Sequence, residues 1–333
     1  MDLTTPVHIE SYPFAIRPDM ALLSLGSCFS EHVGGSLERA HFNCLVNPFG
    51  VLFNPLSMAL CLDRLAGNKS LETADLFFHG GLYHSPFHHG SFSAPTPEKV
   101  LENARKPFAD AALQMGRLDV LMLTFGTAWV YERKTDLLPV ANCHKLPSEC
   151  FRRRLLDVEE IVDRYKILID RLIAVRPDLK VLFQVSPVRH LGDGLHGNQL
   201  SKSVLHVSVA KLQELYPGNA FYFPSYEIVM DELRDYRFYD EDMAHPSPLT
   251  RQIVWERFQE SFMDDATRRF LGEVEQLGRL LSHRLLHPSA DRIDAHMDII
   301  RKKAAQISSL CPNIDFSKEI ESCLIRLQSS LRS

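Results

Sequence analysis

Residues 21–35 read ALLSLGSCFSEHVGG, and the fold turns on this stretch. Ala21-Leu22-Leu23-Ser24-Leu25 is an apolar run with the length and composition of a buried parallel strand. Gly26 breaks the run, and Ser27 and Cys28 follow as small residues carrying a hydroxyl and a thiol. Phe29–Leu37 has helical spacing up to Gly34-Gly35, a pair expected to loosen or kink the helix. Strand, sharp turn with a nucleophile-type residue, then helix is the layout that presents a side chain at the carboxyl edge of an α/β sheet. A helix start adds free backbone N–H groups and a positive dipole end, which lower a thiol pKa and stabilise an oxyanion. Taken alone, the same residues also describe a packing turn, with Ser27 as N-cap and Cys28 as a buried filler.

Working outward, strands and helices alternate. Phe42–Val46 predicts a short strand running into the turn Asn47-Pro48-Phe49-Gly50. Asn54 as N-cap and Pro55 at the first helical position start a helix through about Arg64. Further helices are predicted over Pro97–Met115, Asp157–Val175 (capped by Asp157), Asn198–Tyr216 and Tyr226–Leu233. Buried strands are predicted over Asp119–Phe125 and Lys180–Val185, with a short one at Ala220–Phe223. Val130–Glu132 and Leu138–Asn142 read as a hairpin. Asp240–Pro248 is a polar loop, followed by one or two helices over Pro248–Leu285. This alternation calls for an α/β fold with a right-handed parallel sheet. From about Pro288 the composition becomes helical and polar, in Ile293–Leu310 and Ser317–Leu331 with a break at Cys311-Pro312-Asn313. The chain is therefore divided into an α/β domain, 1–287, and a C-terminal helical extension, 288–333. The extension is amphipathic and either packs on the main domain or forms a homodimer contact.

Composition narrows the function classes. Over 333 residues, 45% apolar and 24% charged content is ordinary for a globular chain. A net charge of −5 gives no nucleic-acid footprint, and Arg152-Arg153-Arg154, the densest basic spot, reads as a solvated face or a small anion contact. Seven cysteines without CxxC spacing fit neither a disulfide framework nor a zinc cluster, so reduced thiols are expected. No signal-type apolar region opens the chain and no run approaches the roughly 18 apolar residues of a membrane span. The expectation is a cytoplasmic protein with a small-molecule partner, without nucleic acid, membrane or cofactor.

Candidate chemistry collects at the predicted strand ends: Gly26-Ser27-Cys28, Asn47–Gly50, Gly126-Thr127-Ala128-Trp129 and Ser186-Pro187. Asp242-Met243-Ala244-His245-Pro246 adds an Asp and a His three residues apart. Such a pair shares a hydrogen bond that fixes the imidazole tautomer and turns the other ring nitrogen to a nucleophile. The segment FFHGGLYHSPFHHGSF, with His79, His84, His88 and His89, contains no acid and lacks ligand spacing, so it reads as a lid or pocket wall with His84-Ser85 toward the site and no metal. Arg189, after the Lys180–Val185 strand, is a candidate contact for a substrate anion, with a loop salt bridge as the alternative. Asn198, Ser201 and Lys202 follow as possible extensions of that pocket.

In order and spacing the chain resembles the SGNH (GDSL-type) hydrolase superfamily, and more closely its GSCFA branch, whose motif reads Gly26-Ser27-Cys28-Phe29-Ser30 here. GTAWVY (126–131) and NCHK (142–145) are similar to that branch, and the resemblance covers Leu22 to Trp255. It implies a flavodoxin-like three-layer α/β/α sandwich and acyl transfer as an esterase, thioesterase or O-acyltransferase on a small acylated substrate such as a carbohydrate. Matched to the superfamily's blocks, Cys28 takes the nucleophile position, Ser27 the preceding aspartate, Gly50 the second-block oxyanion glycine, and Asp242 and His245 the final pair. Gly126 matches the third-block glycine, with Thr127 after it and Ala128 where an oxyanion asparagine is expected. Thr127, Asn142 or His144 are the candidate replacement donors. Beside His245 at a helix start, the Cys28 thiol is expected to be partly ionised at neutral pH. Two alternatives stand beside this reading: a non-catalytic carbohydrate or small-molecule binder on a decayed hydrolase frame, and Ser27 as the nucleophile.

Overall fold

The computed structural model describes residues 5–287, 289–312, 314–329 and 331. Pro288, at the expected domain boundary, and Asn313, in the expected break, lie outside the described residues. In chain order the first half contains β1 (Leu22–Gly26), α1 (Ser30–Arg39), β2 (Cys44–Val46), α2 (Pro55–Ala66), β3 (Phe77–His79), β4 (Leu82–His84), α3 (Pro97–Met115), β5 (Val120–Phe125), β6 (Trp129–Arg133) and β7 (Phe151–Leu155). Then come α4 (Val158–Val175), β8 (Lys180–Val185), α5 (Gly194–Leu215), β9 (Ala220–Tyr222), the short α6 (Ser225–Glu227), α7 (Pro248–Phe262), α8 (Asp265–Ser282), α9 (Ala290–Leu310) and α10 (Ser317–Ser329).

Five strands form one parallel sheet in the order β2-β1-β5-β8-β9. That order is flavodoxin-like, and its connections reverse between β1 and β5, where the ends of neighbouring strands open a crevice. Every residue of β1 and β5 is buried, as a sheet covered on both faces requires. Leu23, Leu25, Leu121, Leu123, Val181 and Phe183 point to the face covered by α2, α3, α4 and α5. Leu22, Val120, Met122 and Leu182 point the other way, toward α1, α7 and α8. The C-terminal helices continue this second core: Ile293, Met297, Ile300 and Ile307 of α9 join Leu271, Val274 and Leu277 of α8. The extension is thus packed on the main fold, through the same core that α1 shares.

Three local expectations change. Gly34-Gly35 does not break α1; a Cβ at Gly34 would sit 3.0 Å from both Ser24 Oγ and Val46 Cγ2, so its absence lets the helix lie close on the sheet. The strand partner of 129–133 is 151–155, paired antiparallel with Tyr131 opposite Arg153, while 138–142 contributes only a bridge from Pro139 to Glu132. Cross-strand ion pairs explain this: Arg154 of β7 binds Glu132 of β6 at 2.6 Å and Glu160 of α4 at 2.5 Å. Segment 226–233 is not a regular α-helix, because α6 widens into a π-helical turn over Ile228–Glu232. Within the histidine-rich segment, β3 and β4 form a small antiparallel hairpin.

Candidate active site

The turn after β1 is held by backbone packed against backbone. A Cβ on Gly26 would lie 2.4 Å from the Thr124 carbonyl oxygen, so only glycine fits there. Asn47, at the end of β2, accepts the Gly26 N–H on Oδ1 at 2.9 Å and donates Nδ2 to Ser30 Oγ at 3.0 Å. One side chain thereby ties the strand end to the start of α1. Ser27 is turned inward, 1% exposed, its N–H on Thr124 and its Oγ accepting the Phe29 N–H at 3.3 Å. Cys28 is only partly buried and faces solvent.

Cys28 stands where two depressions meet. A cleft of about 640 Å³ is lined by Cys28, Asn54, Thr127, Asn142, Arg189 and His245, among others. A smaller one of about 450 Å³ is bounded by Cys28, Glu31, His32, Asp242, His245 and Arg251. His245 reaches the same place from the loop before α7. Its Nδ1 lies 2.5 Å from Asp242 Oδ2, which leaves Nε2 as the free nitrogen. Asp242 Oδ1 accepts the backbone N–H groups of Ala244 and His245, each at 2.9 Å. These backbone bonds, with the imidazole contact, hold the Asp242 carboxyl down to about 2. Among the described residues no hydrogen bond joins Cys28 to His245, although both line the cleft.

The thiol departs from expectation. Burial pushes its pKa above the ordinary thiol value and Glu31, one turn along α1, pushes it further in the same direction. The N–H groups of Phe29 and Cys28 and the Lys202 charge oppose the shift without reversing it. Helix-start stabilisation is present, but desolvation outweighs it.

Lys202 of α5 is fully buried beneath the cleft and donates to the carbonyls of Gly126 and Ser186, at 2.6 Å each. It staples the carboxyl ends of β5 and β8 together, and burial brings its pKa down to about 7. Above it, Thr127 Oγ1 pairs with Ser201 Oγ at 3.0 Å, and the same Ser201 oxygen accepts the Ala128 N–H at 2.7 Å. Arg189 donates to Tyr239 Oη at 3.1 Å and lies over the Tyr239 ring, without a carboxylate partner among the described residues. Opposite, Arg153 covers the Trp129 ring at 4.1 Å and pairs with Asp193, building a wall from β6 and β7.

Several sequence candidates sit elsewhere. Gly50 (φ 75°) makes the turn after β2, but its N–H is donated to the Asn47 carbonyl at 2.7 Å and it does not line the cleft. His84 is buried, with Nδ1 2.7 Å from Ser93 Oγ and Nε2 donating to the His79 carbonyl at 3.0 Å. His144 donates Nε2 to the Ser85 carbonyl at 2.8 Å, stacks near His84, and is pushed down to about 4 by burial. Both histidines pack behind the wall, and of the histidine-rich segment only His89 reaches the cleft. Among the described residues no group of three or more His, Cys, Asp or Glu is disposed to hold a metal ion, and no helix is long and apolar enough to cross a membrane. Asn47, Asn54 and Lys202 carry more of the site's architecture than the sequence reading gave them. The Asn-Pro pairs at 47–48 and 54–55, each following a predicted strand or turn, were the available signal.

No curated protein and no solved structure matches the chain. A family model described as the GSCFA family matches residues 21–258, from the start of β1 into α7, and so takes in both the Cys28 turn and the Asp242–His245 loop. With more than two-thirds of its length inside that match, the chain belongs to the GSCFA family.

Proposed function

We propose that the chain is an SGNH-type acyl-transfer enzyme acting on a small acylated substrate, with Cys28 as nucleophile, His245 as base and then acid, and Asp242 orienting it. The observation that carries this reading is the shared cleft: Cys28 and His245, 217 positions apart, open on one depression, and the Asp242 bond to Nδ1 leaves the imidazole's Nε2 free. Cys28 Sγ attacks the acyl carbonyl, its proton passes to His245 Nε2, and a tetrahedral oxyanion forms. Collapse breaks the bond to the leaving oxygen or sulfur, which takes the proton from His245 and leaves an S-acyl group on Cys28. Water or an acceptor hydroxyl then attacks, giving its proton to His245, and the released thiolate is reprotonated. A raised thiol pKa suits this order, in which the base removes the proton during attack. Trp129, Tyr131 and the cations Arg153 and Arg189 make a wall suited to a sugar-like or anionic group.

The test is intact-mass detection of an acyl adduct after incubation with a short-chain p-nitrophenyl ester. An adduct lost in Cys28→Ala and kept in Ser27→Ala supports the reading; the reverse pattern overturns it. The inward Ser27 argues against a serine nucleophile. A second reading, a binder without turnover, is favoured by the absence of a hydrogen bond between Cys28 and His245 among the described residues. Absence of both adduct and turnover across an ester panel would favour it.

A further inference from the structure

Acyl transfer places a negative charge on the carbonyl oxygen, and only donors that the fold leaves free can meet it. Around Cys28 most are already engaged. The N–H groups of Gly126 and Thr127 both go to the Phe53 carbonyl, at 2.9 and 3.0 Å, and that of Ala128 goes to Ser201. The N–H of Gly50 is held by Asn47, and Lys202 is held by two carbonyls.

Asn54 differs. It is 5% exposed and caps α2, its Oδ1 accepting the Ser57 N–H at 2.8 Å. That bond fixes which way the amide faces, so Nδ2 is the outward end. Among the described residues Nδ2 has no hydrogen-bond partner, and it is not sealed in the interior, since Asn54 lines the cleft with Cys28. A nearly buried amide with both donors unmet is costly unless the cleft's occupant meets them. Its position is fixed relative to the nucleophile turn: a Cβ on Gly126 would lie 3.1 Å from both the Phe53 carbonyl oxygen and Ser27 Cβ, so the residues preceding Asn54 and Cys28 pack on one glycine. Among the described residues the backbone N–H groups of Cys28 and Val51 likewise go to no other residue, that of Cys28 lying beside its own Sγ.

We infer that Asn54 Nδ2, with the Cys28 backbone N–H, forms the oxyanion pocket. This assignment rests on the acyl-transfer reading above, and makes Asn54 a catalytic residue that also serves as a helix cap.

The experiment compares two reactions of the same thiol in the full chain: S-acylation by p-nitrophenyl acetate and alkylation by iodoacetamide, which creates no oxyanion. Asn54→Ser keeps a capping oxygen and removes the amide. Asn54→Asp keeps the capping oxygen and replaces the amide donor with a second acceptor oxygen, and is compared at the pH plateau of each reaction. Both variants are expected to melt near the wild-type temperature, to lose about 100-fold or more in acylation, and to alkylate within about threefold of wild type. Acylation and alkylation falling together would reduce Asn54 to a cap and overturn the inference, as would unchanged acylation. A selective loss in Asn142→Ala instead would move the role to Asn142, whose Oδ1 holds the His144 N–H and whose amide also lines the cleft. If the wild type itself is not acylated, the acyl-transfer reading falls and takes this inference with it. If it is acylated and Asn54→Ser acylates equally fast, only the inference falls.

Discussion

Asp242 grips His245 twice, through a 2.5 Å bond from Oδ2 to ring Nδ1 and a 2.9 Å bond from the His245 backbone N–H to Oδ1. One carboxylate therefore shapes the loop and sets the tautomer of the ring it presents. Because these bonds hold the Asp242 carboxyl near 2, the pair stays charged on the aspartate side across any working pH. Asp242→Asn keeps an oxygen for the loop and loses the charge. Acylation of Cys28 is expected to drop by about 100-fold or more, read as the rate of adduct formation by intact mass. A rate equal to wild type would remove His245 from the role of base.

The thiol's environment has a definite pH signature. Alkylation of Cys28 by iodoacetamide is expected to rise with a midpoint above the free-thiol value of about 8.5. A neighbouring carboxylate disfavours the thiolate, so Glu31→Gln is expected to move that midpoint downward. A midpoint below neutrality in the wild type would contradict the buried, Glu31-facing position.

Lys202 binds two buried carbonyls, and Lys202→Met leaves both without a donor. A loss of about 1–3 kcal/mol is expected in urea unfolding. The wild type should also gain stability as pH rises from 7 to 9. Its folded-state pKa of about 7 lies below the unfolded value near 10.4, so in this window the unfolded chain binds more protons. That contribution is complete above the unfolded value and disappears as pH falls through the folded one. In Lys202→Met the slope should flatten, and an unchanged slope would assign it to other groups.

Ile300 of α9 is fully buried in the core shared with α8 and α1. Ile300→Ala is expected to cost about 2–5 kcal/mol, measured by denaturant titration, with the Cys28 acylation rate unchanged below the transition. A negligible cost would mean that the C-terminal helices are not anchored on the main fold.

What the sequence made legible followed from local pattern. The uninterrupted apolar runs of β1, β5 and β8 name buried parallel strands, and Asp242–His245 declares itself because its partners are three residues apart. The strand Phe151–Leu155 was hidden because three consecutive arginines read as a solvated face. Arg152 and Arg153 are indeed exposed, but Arg154 pairs with Glu132 and Arg153 covers Trp129, partners that only tertiary structure supplies. Asn47 and Lys202 were obscure for the same reason: Gly26 lies 21 positions from the first, and Gly126 lies 76 from the second. The thiol was misjudged because its sign depends on a competition between helix-start donors and burial, and burial is not visible in one strand of text.

Among the described residues the ribbon of β6 and β7 pairs only with itself, apart from the Pro139 bridge, yet carries Trp129, Tyr131 and Arg153 on the cleft wall. Cys28 and His245 belong to the main sheet and its loops. On the proposed reading, the candidate reacting groups and this part of the cleft wall are carried on separate pieces of backbone. Exchanging residues 129–155 between relatives should therefore alter that wall while the five-stranded register, and the Cys28 and His245 positions at its edge, pass on unaltered.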